Sequence, residues 1–176
     1  NRNYYSGLFI LSAGSVAMKN INTYGNDQYG IFVDNATYNS GSSPVTYQST
    51  GKEFYQFNNG STGLYIYSKG NVTINNQYGL SANNNHGDYG IAISNTASPV
   101  PSYVKLINVG ATGNNQYGLY VASSGYIYAK SLRTEGNSRD GAYLYSSSGT
   151  VTISGDNYFR FNGEYGLKVE ANGAIS

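Results

Sequence analysis

Cysteine and tryptophan are absent from the 176 residues, histidine occurs once, and only 11% of the side chains are charged. Without thiols there can be no disulfide, no thiolate zinc or iron–sulfur site and no cysteine nucleophile, and the composition suits an exposed surface. A formal net charge of +1 leaves no basic face for a phosphate backbone, so nucleic acid is not expected as a partner. The longest apolar run lies around Leu8 to Leu11, far short of a bilayer span. No charged segment, apolar run and small-residue cleavage site opens the chain, so any secretion leader is expected to have been removed or to lie outside this sequence. No composition break divides residues 1–176, which predicts a single domain.

Glycine, asparagine, serine and tyrosine are abundant instead, and within them runs a repeat of glycine, aliphatic, any residue, aliphatic. Its glycines are Gly7, Gly30, Gly63, Gly90, Gly118, Gly141 and Gly166, at intervals of 23, 33, 27, 28, 23 and 25 residues. Uneven spacing of this kind describes a coil with loop insertions. Alternation has a period of two, so Leu8 and Ile10 and their counterparts share one face of a short strand and point inward. A second alternating segment follows at Val16 and Met18, Val72 and Ile74, Val104 and Leu106, Ile127 and Ala129, and Val151 and Ile153. A third, less regular one carries Leu132, Phe159 and Phe161. Insertions are expected at the turns, about Asn39 to Lys52, Ser98 to Ser102 and Asn75 to Asn84, the last read as part of a third strand.

Four residues before the repeat glycine stand Asn3, Asn26, Asn59, Asn114, Asn137 and Asn162, with His86 in the same slot before Gly90. An amide side chain both donates and accepts, so a stacked column of asparagines can bond from coil to coil and satisfy buried backbone groups. The Asn-x-x-x-Gly-aliphatic-x-aliphatic signature resembles the parallel β-helix repeat family, whose fold pectate lyases, polygalacturonases, phage tailspikes and many bacterial surface proteins share. That resemblance implies an all-β, right-handed, single-stranded parallel β-helix: about seven rungs of three short strands with an asparagine ladder. It specifies a fold and leaves function open.

For chemistry, His86-Gly87-Asp88 invites an acid–base reading, but the register of His86 assigns it to the ladder, and the Gly-His-Gly and paired-Asp motifs of polygalacturonases are missing. Glycoside hydrolysis needs two carboxylates across one sugar bond, and calcium-assisted lyase chemistry several around one cation. The nine acids are scattered, so no catalytic residue, metal ligand or cofactor is assigned. Glu135 with Arg160, and Arg139 with Glu164, fall in matching columns of adjacent rungs and read as surface ion pairs. The triplets beginning at Asn35, Asn59 and Asn71 match glycosylation acceptors, which arise readily by chance in such a composition.

Twenty tyrosines are the unusual feature. Phe9, Phe32, Tyr65, Tyr120 and Tyr143 lie between the inward aliphatics, so alternation sends them outward in one column. Three uses are open: cross-rung stacking, packing against another subunit, or a platform for sugar rings. Neither end of the sequence carries a capping element, the expectation for a segment of a longer β-helix or a stacking subunit. The expected role is an extracellular structural or adhesive surface protein or filament subunit. Its expected partners are copies of itself or neighbouring β-helix segments, with polysaccharide as the alternative; a polysaccharide lyase, hydrolase or tailspike-like enzyme is the rival reading.

Overall fold

The computed structural model describes residues 3–38, 40–50 and 54–176. The chain climbs as a coil of parallel strands. The first turn holds β1 (Leu8–Leu11), β2 (Val16–Lys19) and β3 (Thr23–Tyr24), and the second β4 (Ile31–Asp34), β5 (Val45–Ser49) and β6 (Phe54–Phe57). In the next three turns the second and third strands are continuous: β7 (Leu64–Tyr67) with β8 (Val72–Asn83), β9 (Tyr89–Ser94) with β10 (Val104–Thr112), and β11 (Tyr117–Ser123) with β12 (Ile127–Glu135). The sixth turn has β13 (Ala142–Ser146), β14 (Val151–Ser154) and β15 (Tyr158–Arg160), and β16 (Leu167–Ala171) begins a seventh. Six complete turns and seven stacked repeat strands thus give the all-β, parallel solenoid that the periodicity predicts.

The repeat strands form one sheet in the order β1-β4-β7-β9-β11-β13-β16, and every pair is parallel. Register is kept by equivalent residues: Leu8 faces Ile31, which faces Leu64, which faces Ile91. Because side chains alternate, each in-register pairing stacks like on like, and a slip of one residue would expose the whole apolar set. Ile31, Val33, Leu64, Ile66, Ile91, Ile93, Val121 and Leu144 are fully buried on one wall, facing Val72, Ile74, Val104, Leu106 and Ile127 on the second and Leu80 and Leu132 on the third.

Among the described residues, positive φ marks two of the three corners of a turn. Asn20 (54°), Asn108 (53°) and Ser131 (54°) turn the second strand into the third, helped by Gly79 and Gly155. Gly25, Asn58, Asn84, Gly113, Gly136 and Phe161 turn the third toward the next repeat strand. Asparagine and glycine enter this region at little cost, whereas an aromatic residue is strained there.

Two expectations change and a third holds. The stretch from Asn39 to Lys52, read as an insertion, contains β5, which pairs with β2 and β8 and turns Val45 and Tyr47 inward; its limits, Asn39 and Lys52, lie outside the described residues. Ser43 stands two residues before this strand, the place held by Gly14, Gly70, Gly125 and Gly149 in other turns, so the usual marker is lost. Phe161, read as an inward third-strand residue, occupies the left-handed corner and is 78% exposed. Asn75 to Asn84 does belong to the third strand: β10 pairs with β8 on both sides of a register shift, Ile107 with Asn75 and Val109 with Leu80, and the extra residues bulge at the corner.

Candidate functional site: the amide column and the aromatic face

The corner residue before each repeat strand sends the following asparagine inward, and these amides form a continuous chain. Asn3 donates to Asn26 (2.8 Å), Asn26 to Asn59 (2.8 Å), Asn59 to Asn85 (3.0 Å), Asn85 to Asn114 (3.0 Å), Asn114 to Asn137 (2.9 Å) and Asn137 to Asn162 (2.9 Å). From Asn59 upward the same Oδ1 atoms also accept a backbone N–H from the turn below, as Asn137 does from Asn114 at 3.0 Å. The second amide hydrogen of Asn85, Asn114, Asn137 and Asn162 goes to the carbonyl of Gln56, Ala82, Ala111 and Thr134. Asn85, Asn114 and Asn137 thus have both amide hydrogens bonded, which is what permits a polar group in this interior.

His86 is not a member of the column; Asn85 holds its slot. The segment from ladder amide to repeat glycine is one residue longer here, Asn85 to Gly90, than in Asn59 to Gly63 or Asn114 to Gly118. His86 is exposed in that loop, its N–H donating to the Asn59 carbonyl at 2.9 Å. The signal available was the pair Asn84-Asn85, matching Asn58-Asn59: a left-handed asparagine followed by the ladder one. The repeat glycine and the ladder are also one device. A Cβ on Gly118 would stand 2.6 Å from Asn137 Nδ2 and 2.5 Å from the Gly141 carbonyl, so only glycine leaves room for the amide arriving from the next turn.

A second polar column at the opposite end of the repeat strand was not read from the sequence. Asn35, Ser68, Asn95, Ser123 and Ser146 are all buried and donate to turn carbonyls, for example Asn95 to Gly70 (3.2 Å) and Tyr103 (3.1 Å) and Ser146 to Gly125 (2.6 Å). Mixed serine and asparagine hid it, since no single residue type repeats. Asn35 and Asn59 have both amide hydrogens or their ladder bonds engaged and are buried, which leaves them no room for a glycan.

Outward from the same strands stands the aromatic column. Phe9 stacks on Phe32 (centroids 4.8 Å, 8° between planes) and Phe32 on Tyr65 (5.2 Å, 3°). Ala92 follows and interrupts it; Tyr120 then meets Tyr143 edge-on at 5.5 Å, and Lys168 Nζ lies 4.8 Å from the Tyr143 ring. Tyrosines directly before repeat glycines flank the column. Tyr29 leans on Phe32 and Tyr65 (5.0 and 5.6 Å), and Tyr89 on Tyr120 and Tyr117 (5.2 and 5.5 Å). Arg139 covers the Tyr117 ring at 4.9 Å. Burial raises the Tyr65 and Tyr89 phenols, with neighbouring phenols and Asp34 or Asp88 adding to it. Burial and a hydrogen bond to Glu170 push Tyr143 up to about 12. All three remain neutral donors at physiological pH.

The charged side chains pair both between turns and along single strands. Arg160 and Arg133 both reach Glu135 Oε2 (3.0 and 3.1 Å), and their hydrogen bonds hold the Glu135 carboxyl below its ordinary range. Arg139 meets Glu164 at 2.8 Å, and Lys168 meets Glu170 at 3.1 Å. Asp34 accepts the N–H groups of Ala36 and Thr37 and closes a turn. Among the described residues no three His, Cys, Asp or Glu side chains converge as a metal site. An open groove of about 550 Å³ follows the second corner past Asn108, Arg133, Asp156 and Tyr158. No helix of the structure is long and apolar enough to cross a membrane.

The family described as right handed beta helix region matches residues 47–176. No curated protein and no solved structure matches the chain.

Proposed function

The chain belongs to the right-handed β-helix family, and from that premise we propose that it is a non-catalytic structural rod of an exported surface or filament protein, with the aromatic face as its contact surface. The observation that carries this reading is the pair of columns along one sheet: an unbroken amide ladder inside, at the corner before each repeat strand, and a column of rings outside, from Phe9 to Tyr143 with one gap at Ala92. A ladder that satisfies itself in every turn makes a stiff scaffold whose stability needs no ligand. A row of rings that includes Phe9, 58% exposed, offers the kind of surface that partners cover. The acids support the same reading, because Glu135, Glu164 and Glu170 are each engaged by a cation rather than held apart for acid–base work. Absence of cysteine and sparse charge suit the outside of a cell.

Sedimentation and negative-stain electron microscopy of the purified chain test it. Lateral or linear association is expected, and the double substitution Phe9→Ser/Phe32→Ser should weaken it at least tenfold while leaving the circular dichroism of the coil unchanged. A strictly monomeric particle at high concentration, release of sugar from a polysaccharide panel, or recovery of the native protein from the cytosol would each overturn the reading.

A further inference from the structure

We propose that the interruption of the aromatic column at Ala92 is a binding slot for a single neutral pyranose ring. Tyr65 and Tyr120 stand two turns apart, each pairing in register with Ala92, which sets them about 9.6 Å apart along the stack, twice the spacing of neighbouring strands. Where every other gap in this part of the column is closed by a ring, this one has a methyl group as its floor, 4% exposed. Tyr65, Tyr89, Ala92, Ile93, Ser94 and Tyr120 line a cavity of about 150 Å³, a volume on the order of that which holds one six-membered ring. Tyr89 leans toward Tyr120 and Tyr117 and shares the cavity lining with Tyr65. On the other side Tyr29 bridges Phe32 and Tyr65 and closes the stack.

The chemistry of the walls selects the occupant. A puckered, saturated ring carries C–H groups on both faces; one face meets the Tyr65 ring, whose negative quadrupole attracts those hydrogens, and its edge meets the tilted Tyr89 and Tyr120 rings. Three phenols and the Ser94 hydroxyl at the rim can hydrogen-bond ring hydroxyls. Among the described residues that line the cavity there is no carboxylate, amine or guanidinium, so an uncharged sugar is favoured over a uronate or an amino sugar. The slot does not depend on self-association of the rod; it would give a rod of either kind a glycan contact.

Saturation-transfer NMR with methyl β-glucopyranoside, methyl β-galactopyranoside, methyl α-mannopyranoside and 4-methylphenol tests the proposal, together with the shift of the Ala92 methyl signal. At least one pyranoside is expected to bind in the millimolar range and to move that signal. Ala92→Phe, which closes the column, and Tyr65→Ser, which removes one wall, should each weaken binding at least tenfold, while Tyr158→Ser on another face leaves it unchanged. Two variants are needed because a ring at position 92 also crowds Tyr89; thermal melting by circular dichroism shows which is folded, and the folded one decides. The proposal fails if no pyranoside moves the Ala92 signal, if a folded variant binds as the parent does, or if 4-methylphenol outcompetes every sugar, which would mark a slot for an aromatic side chain of a protein partner. None of these outcomes bears on particle shape, so the slot and the rod can fail separately.

Discussion

Asn85 and His86 are adjacent, and the difference between them shows how finely a turn assigns roles. Asn85 accepts from Asn59 side chain and backbone and donates to Asn114 and the Gln56 carbonyl; His86 projects to solvent. Asn85→Ala leaves buried donors on Asn59 without an acceptor and should cost about 3 kcal/mol in urea unfolding, whereas His86→Ala should change it by less than about 0.5 kcal/mol. Equal losses would return the histidine to the column. Tyr47 gives a pH test. Its phenol lies in the interior, donates to the Ile21 carbonyl at 2.6 Å, and burial pushes it up to about 12. A phenol raised above its usual value of about 10 stays neutral in the fold, so its contribution is complete below about pH 10 and is lost as pH rises toward 12. Stability should fall across that window in the parent and less steeply in Tyr47→Phe, followed by phenolate absorbance and circular dichroism.

Strands here are short, and what defines them is where they stop. The corner before each ladder amide uses a left-handed residue, and five of these six are glycine or asparagine: Gly25, Asn58, Asn84, Gly113 and Gly136. Phe161 is the exception at φ 56°, its ring exposed and touched by the Arg160 guanidinium at 5.6 Å. Phe161→Asn should relieve the strain and raise stability by about 0.5–1 kcal/mol, seen as a higher urea midpoint at unchanged slope. A lower midpoint would mean that the ring contact outweighs the backbone. Phe161 also shows the limit of hydrophobic patterning: a residue's alternation predicts its direction only while the backbone stays extended.

At the scale of the molecule, cohesion comes from repetition of the same few contacts in every turn, each turn touching only its neighbours. Ion pairs contribute little to this. Arg139, Arg160 and Arg133 are about half exposed at their bridges, and exposed pairs are typically worth less than about 1 kcal/mol. Raising sodium chloride to half-molar should therefore shift the unfolding free energy by less than about 1 kcal/mol, measured by urea titration at both salt levels; a loss several times larger would make the charged columns, rather than the amide and apolar ones, the main support.

Composition and offset alone determined the solenoid, the inward aliphatic walls, most of the ladder and the outward rings, because parallel in-register stacking turns equal distance from a marker glycine into vertical neighbourhood. Tertiary structure decided whatever depends on loop length or backbone sign. It recruited Val45 and Tyr47 into a strand, moved the ladder from His86 to Asn85, turned Phe161 outward, and joined Asn35, Ser68, Asn95, Ser123 and Ser146 into a second polar column. A turn absorbs one extra residue at almost no energetic cost, so a fixed offset from the repeat glycine misses it and only the Asn84-Asn85 pair marks it, while the hydrogen bonds that fix the register are made between residues more than twenty positions apart.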